Sequence, residues 1–459
     1  MSLNIFKKAK DSWESRSLSA IALLSLGFLS MILIGALLLT LPFASAEGKS
    51  TNFLDCLFVS TSASCVTGLV PFDTGLHWSM FGQVVILVLI QIGGLGFMTL
   101  ITFVAMLFRR NISLYSRTIV MQSAGTYSIG GVVPLMRRII IGTLFFETAG
   151  ALGIIALLWD KMGKKAIWYG IFHSVSAFCN AGFDILGPEG SSSISIWASD
   201  WRILLILSAL ILIGGAGFLV WSDLWQSRFR WKRLHFHSKI VLTFSLVLVV
   251  VPTVLFFFSE FQPWNDAGPY ASLSLKDKIF NSFFMAVSPR TAGFSTVDLS
   301  ELSVPGRTMT TVLMFIGGNS GSTAGGVKLT TVIVVLANLI ANARGKNQAV
   351  LFGESIPTRI IRQASALFNA YLVLIVISTT VISFAEPFPL DQILFETTSA
   401  IATVGLSLGI TGTLGWLSKV VIIFLMFFGR LGAFALFDLL FRNKSNSIIK
   451  YPEGRLLVG

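Results

Sequence analysis

Long apolar runs alternate with short ones along the whole chain. Eight runs are long enough to cross a hydrocarbon layer about 30 Å thick: residues 19–41, 80–108, 139–158, 203–221, 240–258, 308–340, 366–384 and 420–441. Four shorter apolar segments lie between successive pairs, at 52–69, 167–183, 278–294 and 391–406. Each has only about 12 apolar residues before a break, which is too short for a span and typical of a re-entrant half-helix. The pattern predicts four units of span, half-helix, loop and span.

The four short segments share one sequence pattern. They read FVSTSASCVTGL, FHSVSAFCNAGF, FNSFFMAVSPRTAGF and FETTSAIATVGL, and each contains a glycine near its end: Gly68, Gly182, Gly293 and Gly405. These glycines follow one another at intervals of 114, 111 and 112 residues. A phenylalanine lies ten residues before each glycine, and a large apolar residue follows it directly. Matching positions at near-equal spacing indicate an internal repeat.

Composition supports a polytopic membrane protein. Hydrophobic residues make up 54% of the chain and charged residues 12%, whereas a soluble domain carries about 25% charge. The net charge of +12 is concentrated in the N-terminus, residues 109–138, 226–239 and 343–362, and the tail. The positive-inside rule then places both termini and these loops in the cytoplasm. This topology accounts for the basic excess, so we expect no nucleic-acid partner.

The repeated loops have a chemical use at membrane depth. Non-helical backbone is tolerated there only where protein or a water-filled cavity surrounds it. Four such loops around one axis could direct backbone carbonyls inward and replace the hydration shell of a cation. Glycine suits this geometry because it adopts positive φ without a Cβ clash, and the half-helix C-termini add negative dipole ends. The alternative is that the four glycines only pack helices together. Acidic residues in the opposite loops could also concentrate cations at the mouth.

These features predict the organisation of the chain. We expect an all-α integral membrane protein with eight transmembrane helices, in which four pseudo-repeats surround one central pore. The expected repeats are residues 1–136, 137–236, 237–343 and 344–459, the last with a C-terminal tail. The first apolar run, followed by Ala44-Ser45-Ala46, could instead be a signal peptide. It exceeds the 7–15 residues of a signal core and further spans follow, so a retained span is favoured.

A second glycine-rich motif recurs in the second span of each pair. The copies begin at Gly93, Gly214, Gly317 and Gly429. In the first two copies, the small residues predict close helix packing. The third copy predicts a helix break that lines a cavity and acts as a gate; its residues are Gly317, Gly318, Asn319, Ser320, Gly321, Ser322, Thr323, Ala324, Gly325, Gly326, Val327 and Lys328. It resembles a phosphate-binding loop, but Leu329 stands where that motif needs Ser or Thr.

The fourth copy carries an arginine, Arg430, in place of the second glycine. An arginine at the centre of a span costs at least ~2.5 kcal/mol on insertion scales and should face a cavity or a partner. Directly beneath a cation-coordinating ring, a fixed positive charge would form an electrostatic barrier. The alternative is a structural pair, and Glu147 is the clearest acidic residue within a span. We expect Arg430 to line the gate.

Three features occur together in this chain: four single-glycine loops, the GGNSGSTAGG segment and the arginine in the last span. In this combination the chain resembles the Trk, Ktr and HKT superfamily of potassium transporters. Within that superfamily it is most similar to the KtrB-type subunits of bacterial Ktr systems. The resemblance covers nearly the whole chain. It implies a homodimer with one pore per subunit in the bacterial cytoplasmic membrane. It also implies a cytosolic KtrA-type ring of nucleotide-binding regulatory domains on the basic face, so that any nucleotide belongs to the partner and not to this chain.

Carried over by position, the resemblance assigns potassium-coordinating carbonyls to the four loops. The residues are Val66, Thr67 and Gly68; Asn180, Ala181 and Gly182; Thr291, Ala292 and Gly293; and Thr403, Val404 and Gly405. It also assigns the gate to residues 317–326 and the barrier to Arg430. The only ligand expected on this chain is the transported potassium ion, with sodium left open.

The sequence predicts a potassium uptake protein that is not an enzyme. Its four histidines are scattered, and the sequence pattern suggests neither a nucleophile–base pair nor a metal cluster. The rival class is a sodium- or proton-coupled symporter, which needs a titratable relay or an ion site within the membrane. Glu147 is the clearest candidate for such a relay. A membrane enzyme is the more distant alternative.

Overall fold

The structure is a computed structural model that describes residues 20–96, 132–191, 193–261 and 273–432. The described residues are mostly helical. The predicted N-terminal basic segment, most of the basic loop at 109–138 and the C-terminal tail lie outside the described residues. Two short strands, β1 (Val350–Leu351) and β2 (Glu354–Ser355), form an antiparallel hairpin. The strictly all-α prediction is therefore wrong at this one described place.

Helices of the first two repeats follow the predicted order. In the first repeat they are α1 (Ala20–Thr40), the half-helix α2 (Phe53–Cys65), the short α3 (Thr74–His77) and α4 (Met80–Leu95). In the second they are α5 (Val132–Met162), the half-helix α6 (Lys165–Phe178), α7 (Trp201–Ala216) and α8 (Phe218–Gln226). The expected boundary after residue 136 falls inside α5, near its start.

The last two repeats keep the same order. The third contains α9 (Phe236–Ser259), the half-helix α10 (Leu275–Val287), α11 (Val304–Phe315) and α12 (Leu329–Ala343). The fourth contains α13 (Thr358–Ala385), the half-helix α14 (Leu390–Ala402) and α15 (Trp416–Leu431). Each half-helix has 13 or 14 residues, or about 20 Å at 1.5 Å per residue. That length reaches only part of the way across a bilayer.

Not every predicted span is one helix. By length and composition, three described helices could cross a membrane, and the α7–α8 pair, bent by 90°, would make a fourth. The predicted span at 203–221 is not one continuous helix, because it bends at Gly217. The helix break predicted within 308–340 is present, between α11 and α12. The helix expected over 80–108 ends at Leu95 and the one over 420–441 ends at Leu431.

Sequence explains why the half-helices begin and end where they do. The side chains of Asn52 and Ser274 accept hydrogen bonds from the first turns of α2 and α10, which satisfies otherwise unpaired amide donors. Half-helices α2 and α14 end on residues in the left-handed conformation, Val66 and Thr403. Long helices expose large apolar side chains, including Phe384 at 90%. Exposed faces of this kind suit lipid contact.

Candidate functional site

The four predicted glycines form one closed ring. A Cβ added to Gly68 would lie 2.5 Å from Ala181 O, and one added to Gly182 would lie 2.7 Å from Ala292 O. A Cβ on Gly293 would meet Val404 O, and one on Gly405 would meet Thr67 O. Each loop thus touches the next in chain order, and the fourth returns to the first. Glycine is required because any side chain would strike the neighbouring backbone.

Each loop uses two left-handed residues to turn its carbonyls. The ring glycines have φ between 69° and 95°. Two residues earlier, the backbone is also left-handed at Val66, Asn180, Thr291 and Thr403, with φ between 52° and 75°. β-Branched residues rarely adopt this region, so three of these positions are strained. Such strain persists where the surrounding structure fixes the backbone, commonly at functional sites.

The amide donors of the loops are bonded back to the half-helices. Thr67 N donates to Ser62 O at 2.8 Å, and Gly68 N donates to Ser62 Oγ at 3.0 Å. The fourth repeat repeats this pattern with Ser399. In the second repeat, Ser176 O accepts from Ala181 N at 2.7 Å. Because the donors are occupied on the half-helix side, the carbonyl oxygens of the loops are free to face the axis.

This geometry suits a dehydrated cation. The predicted filter residues are all buried except Gly405, which is half-buried. The carbonyl oxygen of the residue before each ring glycine lies beside the ring glycine of a neighbouring loop. Backbone carbonyls at such a ring can replace water around a cation, and the C-terminal ends of four half-helices point their negative dipole ends at it. An anion would meet the wrong end of every one of these dipoles.

A second layer lies where the half-helices end, and here the paired spans are broken. Gly96, Gly217 and Gly432 end α4, α7 and α15 with φ of 84°, 97° and 84°. The first glycines of the same motifs also pack closely: added Cβ atoms on Gly93 and Gly214 would strike Ser64 O and Phe178 O. The packing prediction for the first two copies is therefore incomplete, because these copies also break their helices. We call the four breaks the break layer.

The third break is a folded loop, residues 316–328, which we call the gating loop. Its ends are joined by a bridge between Ile316 and Val327 and by a hydrogen bond from Leu329 N to Gly318 O of 3.1 Å. Its residues are buried apart from Ile316, Ser320, Gly321, Ser322 and Lys328, which are half-buried. Lys328 Nζ donates to Ala324 O at 2.7 Å, within the loop itself.

The gating loop lies against the half-helix ends of two other repeats. Thr323 Oγ1 donates to Phe178 O at 3.2 Å in the second repeat. In the fourth repeat, a Cβ on Gly326 would lie 2.8 Å from Ala402 O, and Gly325 packs against the Thr403 side chain. The loop also contacts the second-repeat break, where Phe218 N donates to Gly321 O at 2.8 Å. This loop of the third repeat therefore lies between the second and fourth repeats on the half-helix side of the ring.

Arg430 joins three breaks. Its Nη1 donates to Thr323 O of the gating loop, and its Nη2 donates to Gly93 O and, at 3.2 Å, to Gly94 O. The guanidinium thus connects the fourth repeat to the first and third. The barrier role expected for this positive charge stays a prediction.

Glu147 does not pair with Arg430. Its carboxylate accepts from Gln91 Nε2 at 3.2 Å and from Cys179 Sγ at 3.8 Å. No ion pair between Glu147 and Arg430 occurs among the described residues. The structural pair considered from sequence is absent there, and the backbone carbonyls of the break layer take its place.

Acidic residues around the loops are partly neutralised. Lys419 Nζ lies 2.7 Å from Asp55 Oδ1, and Arg307 Nη1 lies 3.2 Å from Asp391 Oδ2. Lys165 and Tyr169 both donate to Glu189, and these hydrogen bonds lower the pKa of its carboxyl group. Because these acids are engaged with neighbouring cations, they contribute less to attracting ions than free carboxylates would.

Sequence reasoning missed two kinds of residue. The first is the serine six residues before the ring glycine in three repeats (Ser62, Ser176 and Ser399), which was visible in the aligned segments. The second is Glu396, a carboxylate 1% exposed on α14. Thr411 Oγ1 donates to its Oε1, and its Oε2 has no partner among the described residues. Glu147 is therefore not the only buried acid beside the pore.

Comparisons with known proteins agree with this architecture. The TrkH family model, described as "Cation transport protein", matches residues 3–450. The chain belongs to the TrkH family of cation transport proteins. The family predicted from the loops and from Arg430 is thus confirmed, and a transporter rather than an enzyme is established.

Two relatives show how far the similarity extends through the TrkH family. The chain is 38% identical to the potassium/sodium uptake protein NtpJ of Enterococcus hirae, over 97% of this chain and 98% of that protein. It is also 38% identical to the Ktr system potassium uptake protein B of Bacillus subtilis, over 95% and 96%. The crystal structure of the potassium transporter TrkH from Vibrio parahaemolyticus matches with a TM-score of 0.71 at 20% identity, covering 93% of this chain and 85% of that one. This last match shows the fold.

Proposed function

We propose that this TrkH-family chain takes up potassium through a channel-like pore whose selectivity filter is the four-loop ring. The observation that carries the proposal is the closed circuit of glycine contacts, in which each loop places a carbonyl oxygen against the next glycine. Occupied amide donors and converging half-helix C-termini favour a cation at the axis. The potassium named in the titles of the relatives is consistent with this filter.

We propose that the gating loop and Arg430 close the pore. The loop spans between half-helix ends of the second and fourth repeats, and Arg430 bonds to its Thr323 carbonyl. Residues 317–328 are small, polar or basic with the exception of Val327, so little apolar burial opposes their withdrawal. Opening then requires the loop to leave the axis and Arg430 to release at least one carbonyl.

The partners and orientation belong to the same proposal. We place the chain in the bacterial cytoplasmic membrane with both termini in the cytoplasm, because its described basic loops, residues 226–239 and 343–362, lie on one side of the predicted spans. A homodimer and a cytosolic ring of nucleotide-binding regulatory domains complete the assembly. The repeat boundaries and the eight spans remain predictions on which this topology rests.

A coupled symporter is the second candidate. The observation that favours it is the presence of two buried carboxylates, Glu147 and Glu396, neither of them in an ion pair within the described part of the chain. Buried acids near a pore serve as proton or sodium sites in coupled transporters. A relative is also named a potassium/sodium uptake protein.

Flux measurements on the full-length protein in liposomes test both candidates. The experiment measures rubidium uptake driven by a potassium gradient, with and without sodium and a pH gradient. A channel-like pore follows the potassium gradient alone, whereas uptake by a symporter depends on the second ion. The variant Gly293→Asp places a carboxylate in the ring, where even a Cβ would strike Val404 O, and should abolish conduction or discrimination against sodium. Wild-type selectivity in a folded Gly293→Asp protein would contradict the filter assignment.

A further inference from the structure

The third filter loop differs from the others at one position. Three residues before the ring glycine, the other repeats have small side chains (Cys65, Cys179 and Ala402), whereas the third has Arg290. Its side chain is buried, with 6% exposure. Its Nη2 donates to Ser245 Oγ on α9 at 3.2 Å. Burying a guanidinium costs free energy unless the group is paired and hydrogen-bonded.

Ser245 also connects to the gating loop. Its hydroxyl lies 3.5 Å from Asn319 Nδ2, at the start of the loop. Asn319 in turn holds the second-repeat break with two donors, because its Nδ2 and its backbone N lie 2.8 Å and 3.3 Å from Gly215 O. A continuous polar chain thus runs from the third filter loop through Arg290, Ser245 and Asn319 to Gly215.

Arg290 and Asn319, the two side chains that flank Ser245 in this hydrogen-bonded path, both have unused hydrogen-bonding atoms. Arg290 Nε and Nη1 are buried donors without a partner, and Asn319 Oδ1 is a buried acceptor without a partner, within the described residues. The two sets are complementary and both border Ser245. If Asn319 left Gly215, its oxygen could accept from the guanidinium. That pairing would replace a neutral hydrogen bond with a charge-assisted one, which is the stronger kind.

We propose that Arg290 is a positioning residue that couples the third filter loop to the gating loop through Ser245. When the gating loop moves away from the second-repeat break, the side chain of Asn319 exchanges its hydrogen bond to Gly215 O for one from the Arg290 guanidinium. This inference rests on the proposed filter and gate. It predicts that the state of the gate is transmitted to the filter loop of the third repeat through Arg290.

A double-mutant cycle in liposomes containing the full-length protein tests the coupling. Asn319→Asp removes the side-chain donor to Gly215 and adds a carboxylate that pairs with Arg290, so basal rubidium flux should rise about tenfold. The same substitution in an Arg290→Gln background should have much less effect. Equal increases in both backgrounds, or no change in a folded Asn319→Asp protein, would overturn the proposal.

A milder variant covers the case in which Arg290→Gln does not fold. Ser245→Ala leaves the guanidinium in place but removes the shared hydroxyl, and should raise basal flux about threefold and weaken the effect of Asn319→Asp. Thr253→Ala is the matched control, because Thr253 lies on the same helix and, among the described residues, its hydroxyl bonds only to Val249 O, at 2.6 Å. Identical flux in the two variants would contradict the coupling. If wild-type protein carried no potassium, the proposed function itself would fail, whereas an additive cycle in a potassium-selective wild type would reject only the coupling.

Discussion

The ring and the break layer are built from the same four repeats, yet they differ in regularity. In the ring, every repeat contributes the same conformation: a left-handed residue, an intervening residue and a left-handed glycine. In the break layer, the first, second and fourth repeats each end a helix at one glycine. The third repeat instead inserts the gating loop, and the fourth also carries Arg430. Fourfold regularity is kept at one level of the molecule and lost at the next.

The difference follows from what each layer must do. An ion stripped of water needs oxygens on all sides at similar distances, so a filter made from one chain requires four equivalent loops. A gate needs one element that moves while the others stay fixed. Repeats can therefore diverge in the break layer without harming selectivity, whereas divergence in the ring changes the coordination of the ion.

The largest expected effect comes from breaking the ring. Gly405→Ala and Gly409→Ala place alanine at φ of 95° and 90° in the same repeat, so both carry about 1–2 kcal/mol of left-handed strain. Of the two, only at Gly405 does the Cβ strike Thr67 O and lie 2.9 Å from Gly68 Cα, whereas a Cβ on Gly409 has no described atom within 4 Å. We expect Gly405→Ala to lose potassium-selective rubidium uptake and Gly409→Ala to retain it. Similar uptake by the two folded variants would refute the role of the ring.

The next effect concerns the charge in the break layer. Arg430→Ala removes the positive charge and its bonds to Thr323 O and Gly93 O. We expect cation flux to rise about tenfold, which corresponds to ~1.4 kcal/mol of barrier, with selectivity unchanged because the ring is intact. Arg430→Lys keeps the charge but not the forked geometry, and should give an intermediate flux. Unchanged or lower flux in well-folded Arg430→Ala protein argues against the barrier.

The smallest expected effect comes from comparing two helix breaks, of which only one contacts the gating loop. Gly217 and Gly432 both have positive φ, but a Cβ on Gly217 would lie 2.9 Å from Ser320 O of the gating loop. Gly432 has no neighbour within 4 Å in the described part of the chain. We expect Gly217→Ala to change flux about threefold, or ~0.6 kcal/mol in barrier.

The matching substitution Gly432→Ala should lower only thermal stability, because it adds strain without touching the loop. Flux and melting temperature measured on the same preparations separate the two effects. If both variants changed flux to the same extent, the seat of the gating loop would not lie at Gly217.

Much of the ring was accessible from sequence because it depends on local properties repeated four times. A half-length apolar helix, a break and a glycine are visible in each copy, and the equal spacing indicates that they meet. The breaks at Gly96, Gly217 and Gly432 were not predicted, since a glycine within an apolar run is equally typical of a packed continuous helix. Only the contacts around each glycine distinguish the two.

The sequence by itself determined the class of protein, the four loops, the ring glycines and the unusual composition of residues 317–328. Tertiary structure decided what Arg430 bonds to, which residues the gating loop contacts and that Ser245 connects Arg290 to Asn319. The reason is separation along the chain: Arg430 bonds to a carbonyl 337 residues away. A long polar side chain has many possible partners until packing fixes which carbonyls are buried beside it and in need of a donor.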